Sequence, residues 1–123
     1  MIRDDFLLRQ LRLLTAALAR ALGRAKAAEI AEAECAAFVG LDLGVAAALS
    51  PDTLLGLLRT ADGLDAERCL ALGMGLGSRA ARLDFPAALV ATARTLIAAA
   101  LAARPALDDD DVQEMLATLG VPE

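Results

Sequence analysis

The sequence contains no histidine, tryptophan, tyrosine or asparagine, and its three phenylalanines are its only aromatic residues. The missing histidine excludes a histidine general base, a serine–histidine triad and any histidine-ligated metal. Cysteine is scarce as well. Cys35 and Cys69 are the two thiols, too few for a disulfide scaffold in a chain long enough to build a core. Both stand among apolar neighbours, where a free cysteine acts as a small hydrophobe. No long apolar run is present that would span a bilayer. The longest, from Pro86 to Ala103, is mostly alanine and is interrupted by Arg94. Asp4, Asp5, Arg9 and Arg12 break up any signal-peptide core near the start. No membrane association and a cytoplasmic location are therefore expected.

What is present is alanine and leucine, 30 and 25 of 123 residues. Both rank at the top of the helix-propensity scale, while strand formers are few. No segment alternates with period two, so an all-α single domain covering residues 1–123 is expected, without a sheet.

Twelve basic and seventeen acidic residues give a net charge of −5. An acidic chain makes nucleic acid an unlikely partner, because such binding releases counterions from a basic surface. The charge is uneven. Residues 1–26 hold six basic residues and two acids, a balance of +4, and the remainder of the chain carries −9. A basic leading segment on an acidic body can dock internally, meet a second copy, or face an acidic partner.

Helical periodicity marks the segments. Leu7, Leu11, Leu14, Leu18 and Leu22 recur at helical steps over roughly 3–23, with the arginines opposite. A second helix is expected over 25–39, with Ala27, Ile30, Ala31, Cys35 and Phe38 inside and Lys26, Glu29 and Glu32 outside. Glu34 falls near the edge of that apolar face and reads as a surface carboxylate. Residues 41–49 read as a buried connection with room for a helical turn. Ser50 and Pro51 are a start signal, N-cap then N1, for a short helix. Asp62-Gly63 marks a turn. Asp65 caps a helix over 66–83 that shows Cys69, Leu72, Leu76, Ala80 and Leu83 on one face. Asp84-Phe85-Pro86 punctuates the chain before a helix running to about Ala103. Asp108 is the expected cap of a last helix bearing Val112, Met115, Leu116 and Leu119, with Gly120, Val121 and Pro122 as its stop.

Three features resemble binding motifs and read otherwise. Gly73, Gly75 and Gly77 lack the strand and the spacing of a phosphate loop. They fit close helix packing, with Gly73 and Gly77 sharing a face. Asp108 to Asp111 lack the spacing and the glycine turn of a calcium loop and fit an acidic first turn. Ser50 and Ser78 read as a cap and a helix residue. No catalytic, cofactor-binding or metal-binding residues are expected, and no cofactor.

The segment from Leu72 to Leu96 resembles a degenerate tetratricopeptide (TPR) hairpin. Asp84-Phe85-Pro86-Ala87-Ala88-Leu89 is similar to its inter-helix turn, with Ala88 at the small-residue position and Leu83 where the motif has glycine. Met1 to Arg9, Phe38 to Asp42, Leu49-Ser50-Pro51 and Gly63-Leu64-Asp65 are similar to an uncharacterised bacterial family of small all-helical, TPR-like proteins. That resemblance implies an array of antiparallel helix hairpins, about five to six helices, and no activity. The chain is richer in alanine than that family.

The expected role is thus a non-enzymatic scaffold or protein–protein interaction protein that self-associates, most simply as a homodimer. The interface is expected at Phe6, Leu13 and Ala17, a second apolar line on the first helix away from its leucine stripe. The alternative is a binding module that grips an acidic peptide or nucleic acid through Arg9, Arg12 and Arg20.

Overall fold

The computed structural model describes residues 2–120, with side chains from Phe6 onward. Seven α-helices make up most of this stretch. They are α1 (Ile2–Arg20), α2 (Ala25–Val39), α3 (Leu43–Ala47), α4 (Pro51–Leu57), α5 (Ala66–Arg82), α6 (Ala87–Ala103) and α7 (Asp110–Thr118). The all-α expectation holds. The expectation of no sheet fails in one small place. Arg59–Thr60 (β1) pairs antiparallel with Gly63–Leu64 (β2), a minimal ribbon around the Asp62-Gly63 turn. Thr60 Oγ1 donates to the Gly63 carbonyl at 3.0 Å, which ties the ribbon locally. Two residues per strand are too short to show any alternation.

Local chemistry sets most boundaries. Ser50 Oγ accepts from Thr53 N–H at 3.1 Å at the start of α4, with Pro51 in the first turn. Asp65 accepts from Arg68 N–H at 3.2 Å to start α5. Asp42 does the same for α3 through Val45 N–H. The last helix is capped one residue later than expected. Asp109, not Asp108, accepts from Val112 N–H at 2.9 Å, and Asp108 instead accepts from Gln113 Nε2. Gly120 follows α7 with φ of 71°, the left-handed stop expected there. Val121 and Pro122 lie outside the described residues. Between α5 and α6, Asp84 and Phe85 both take positive φ, 66° and 56°. Without a glycine the turn forces two L-residues into a region that costs each about 1–2 kcal/mol. Phe85 N–H donates to the Ala80 carbonyl at 2.7 Å, which anchors the turn.

Packing centres on α5. It lies against α6, α2, α1, α7 and α3, and Cys69 through Ser78 are all buried. The expected single apolar face of this helix is therefore a full circumference, and Leu83 at its end is exposed. Its glycines make this possible. A Cβ at Gly73 would stand 3.0 Å from the Ile97 backbone nitrogen in α6, one at Gly75 2.5 Å from Cys35 Sγ in α2, and one at Gly77 2.8 Å from Met115 Sδ in α7. Gly73 and Gly77 thus serve two different neighbours. α5 and α6 form the best-packed hairpin. The first and last helices also touch, whereas a linear array of hairpins keeps its ends apart.

Candidate functional site

Among the described residues, the large exposed hydrophobes gather most on the α1–α2 hairpin, at Phe6, Leu7, Leu13 and Ile30. The leucine stripe of α1 is buried at Leu11, Leu14 and Leu18, while Leu7 at its start is exposed. On the other side of the helix, Phe6 is 54% exposed and Leu13 67%. Ala17 is half-buried. α2 is rotated relative to its expected face. Ala28, Ala31, Glu32, Cys35 and Val39 point inward, and Ala27 and Ile30 point outward, Ile30 with 65% exposure. Phe38 is half-buried and Glu34 fully at the surface.

The rotation places a polar contact in the interface with α5. Glu32, expected outside, is only 5% exposed. Its carboxylate accepts from Ser78 Oγ at 2.9 Å and from Arg82 through Nε at 3.0 Å and Nη2 at 2.9 Å. The hydrogen bond to Glu32 raises the Arg82 pKa above its ordinary value, so the guanidinium stays charged. Ser78 and Arg82 lie on the same face of α5 at i and i+4. Both meet α2 at Glu32.

The groove between α1 and α2 follows from this arrangement. One end is lined by Gln10, Leu13, Leu14, Ala37 and Phe38. The other is lined by Ala17, Arg20, Arg24, Ala27 and Ile30, and Glu34 borders both. Lower numbers on α1 accompany higher numbers on α2, so the two helices run antiparallel. The groove carries exposed hydrophobes, small residues and charges of both signs. A second groove, between α6 and α7, is lined by Ala91, Arg94, Thr95, Ala98, Leu101 and Leu116 and lacks any large exposed hydrophobe.

The three arginines expected to bind a partner are not brought together for that purpose. Arg9 and Arg20 are exposed. Arg12 is engaged inside the molecule. It donates to the Leu107 carbonyl at 2.8 Å, to the Ala106 carbonyl at 2.9 Å and to Asp109 Oδ2 at 2.6 Å. The basic start of the chain therefore docks internally in part, on the acidic cap of α7. Three of the five N–H donors of Arg12 are thus engaged within the molecule, unlike the exposed Arg9 and Arg20.

The two thiols are held in packing roles. Cys35 Sγ donates to the Ala71 carbonyl at 3.0 Å and Cys69 Sγ to the Leu96 carbonyl at 3.1 Å. Burial pushes both thiols up to about 12, helped at Cys35 by the charge of Glu32 and at Cys69 by Asp65. Such thiols are poor nucleophiles, since the thiolate is the reactive form. Among the described residues, no three acidic or cysteine side chains gather as a metal site. Among the same residues, no helix is long and apolar enough to cross a membrane.

No family model, no curated protein and no solved structure matches this chain.

Proposed function

We propose that the chain is a non-enzymatic, cytoplasmic helical scaffold that self-associates through the face of α1 bearing Phe6, Leu13 and Ala17, with a homodimer as the simplest product. The proposal keeps the TPR-like reading of the α5–α6 hairpin as an architectural resemblance. The observation that carries it is the exposure of Phe6 and Leu13 on one side of a helix whose opposite side is packed into the core. Full burial of each such side chain is worth roughly 1.5–3 kcal/mol relative to water. Ile30 on α2 adds a third large hydrophobe to the same hairpin. Single exposed hydrophobes are ordinary on a protein surface, and a cluster bordered by charge marks a contact face. The engagement of Glu32, Ser78, Cys35 and Cys69 in packing contacts supports a structural role over a catalytic one.

Comparison of Leu13→Arg with the unchanged protein by light scattering after size exclusion tests the reading. The expected result is loss of oligomeric mass with an unchanged helical circular dichroism spectrum. A variant that keeps both its fold and its oligomeric mass overturns it.

A further inference from the structure

The α1–α2 groove has charge of both signs arranged along its length. Arg24 caps the start of α2 and Glu34 lies on the same helix, both lining the groove. Ten positions separate them, about 15 Å along a helix. Ile30, the large exposed hydrophobe of α2, falls near the midpoint. Arg20 of α1 stands beside Arg24 at the same end. Ala17 and Ala27 flank Ile30 with small side chains that admit a close approach.

A surface with a cation at one end, an anion at the other and an apolar centre is complementary to itself after a half-turn. We infer that this groove takes a second copy of the same groove, packed antiparallel about a two-fold axis crossing near Ile30, with Arg24 and Arg20 of each copy facing Glu34 of the other. The inference rests on the self-association proposed above and assigns its geometry. In this arrangement Ile30 meets its counterpart at the axis. Each charge contact is made twice, as an isologous interface requires. The aliphatic stems of Arg20 and Arg24 also cover the Leu13 side chain of the opposite copy. A purely acidic partner would leave Glu34 facing like charge, whereas a second copy satisfies both ends.

Charge reversal gives a test with an internal control. Glu34→Arg makes every end of the groove basic, and the double substitution Arg20→Glu with Arg24→Glu makes every end acidic. All three positions are exposed, so circular dichroism is expected to show an intact fold for both variants. Each variant alone is expected to self-associate on the order of a hundredfold more weakly than the unchanged protein. A one-to-one mixture is expected to recover the dimer, because each variant supplies the charge the other lacks. A dimer formed by either variant alone as tightly as by the unchanged protein, or a mixture that stays monomeric, overturns the two-fold pairing. If the unchanged protein dimerises while the variants behave in those ways, the pairing fails and self-association stands. If the unchanged protein is itself monomeric, both fail.

Discussion

Arg82 grips the carboxylate of Glu32 with two nitrogens across fifty residues of sequence, and Ser78 Oγ completes the contact at 2.9 Å. The carboxylate is buried and the guanidinium partly so. Charge-assisted bidentate bonds of this kind are strong, and their worth shows mainly when one partner is removed.

Arg82→Ala therefore leaves a buried carboxylate without its counterion. The expected loss is about 3 kcal/mol of unfolding free energy, the lower end for a broken buried pair because Arg82 retains some contact with water. Urea denaturation reads it. A loss no greater than that of the exposed control Arg9→Ala contradicts the account.

This contact also shows where the sequence was legible and where it was not. The bounds of α2 are those expected from Ala25 to Val39, and the caps at Ser50 and Asp65 hold. The facing of α2 is not legible in its residues, because its alanines give almost no amphipathic contrast. In the folded chain Glu32 is turned in, onto its partners in α5, and Ile30 out. Local period carries no information about a residue fifty positions away. The same holds for α5, whose glycines open every side to neighbours that only the folded chain supplies. The exposure of Phe6 and Leu13 was legible, because it follows from a strong leucine stripe on the opposite side of α1. The engagement of Arg12 with α7 was not.

That engagement has a separable consequence. Asp109 both caps α7 and pairs with Arg12. Asp109→Asn keeps a capping side chain and loses the ion pair, whereas Asp109→Ala loses both. The alanine variant is expected to be less stable than the asparagine variant by about 1 kcal/mol, the worth of an N-cap. In both, hydrogen exchange in α7 is expected to quicken more than in α6. Equal stability of the two variants contradicts the double role of Asp109.

The glycines of α5 are expected to rank by what a methyl group would meet. Gly73→Ala drives a Cβ to within 3.0 Å of the Ile97 backbone and 3.2 Å of the Ala93 carbonyl, neither of which yields. Overpacking of this kind costs about 1–3 kcal/mol. Gly77→Ala meets the flexible end of Met115 and is expected to cost less. Gly56→Ala in α4 meets nothing within 4 Å and is expected to raise stability by about 0.5–1 kcal/mol through helix propensity. Thermal denaturation of the three variants checks the order.

Both thiols have pKa values raised by burial from 9.0 to about 12. Between those values the unfolded chain releases the protons that the folded chain retains. Stability is therefore expected to be unaffected by the thiols below pH 9 and to fall as pH rises from 9 towards 12, approaching about 1.4 kcal/mol per unit for each thiol within the window. A Cys35→Ala, Cys69→Ala double variant is expected to show a flatter decline over the same range. An unchanged slope contradicts the assignment. Neither thiol is expected to react with iodoacetamide at pH 8 until the protein is unfolded.

The central claim is that the α1–α2 hairpin meets a second copy, and the mass of the unchanged protein in solution bears on it most directly. Sedimentation equilibrium at tens of micromolar chain, repeated at low and high salt, is the measurement. The account predicts the mass of two chains at low salt. It also predicts a dimer that persists with somewhat weaker affinity at high salt, since an apolar centre is not screened while the arginine–glutamate contacts are. The mass of a single chain at both salt concentrations contradicts it.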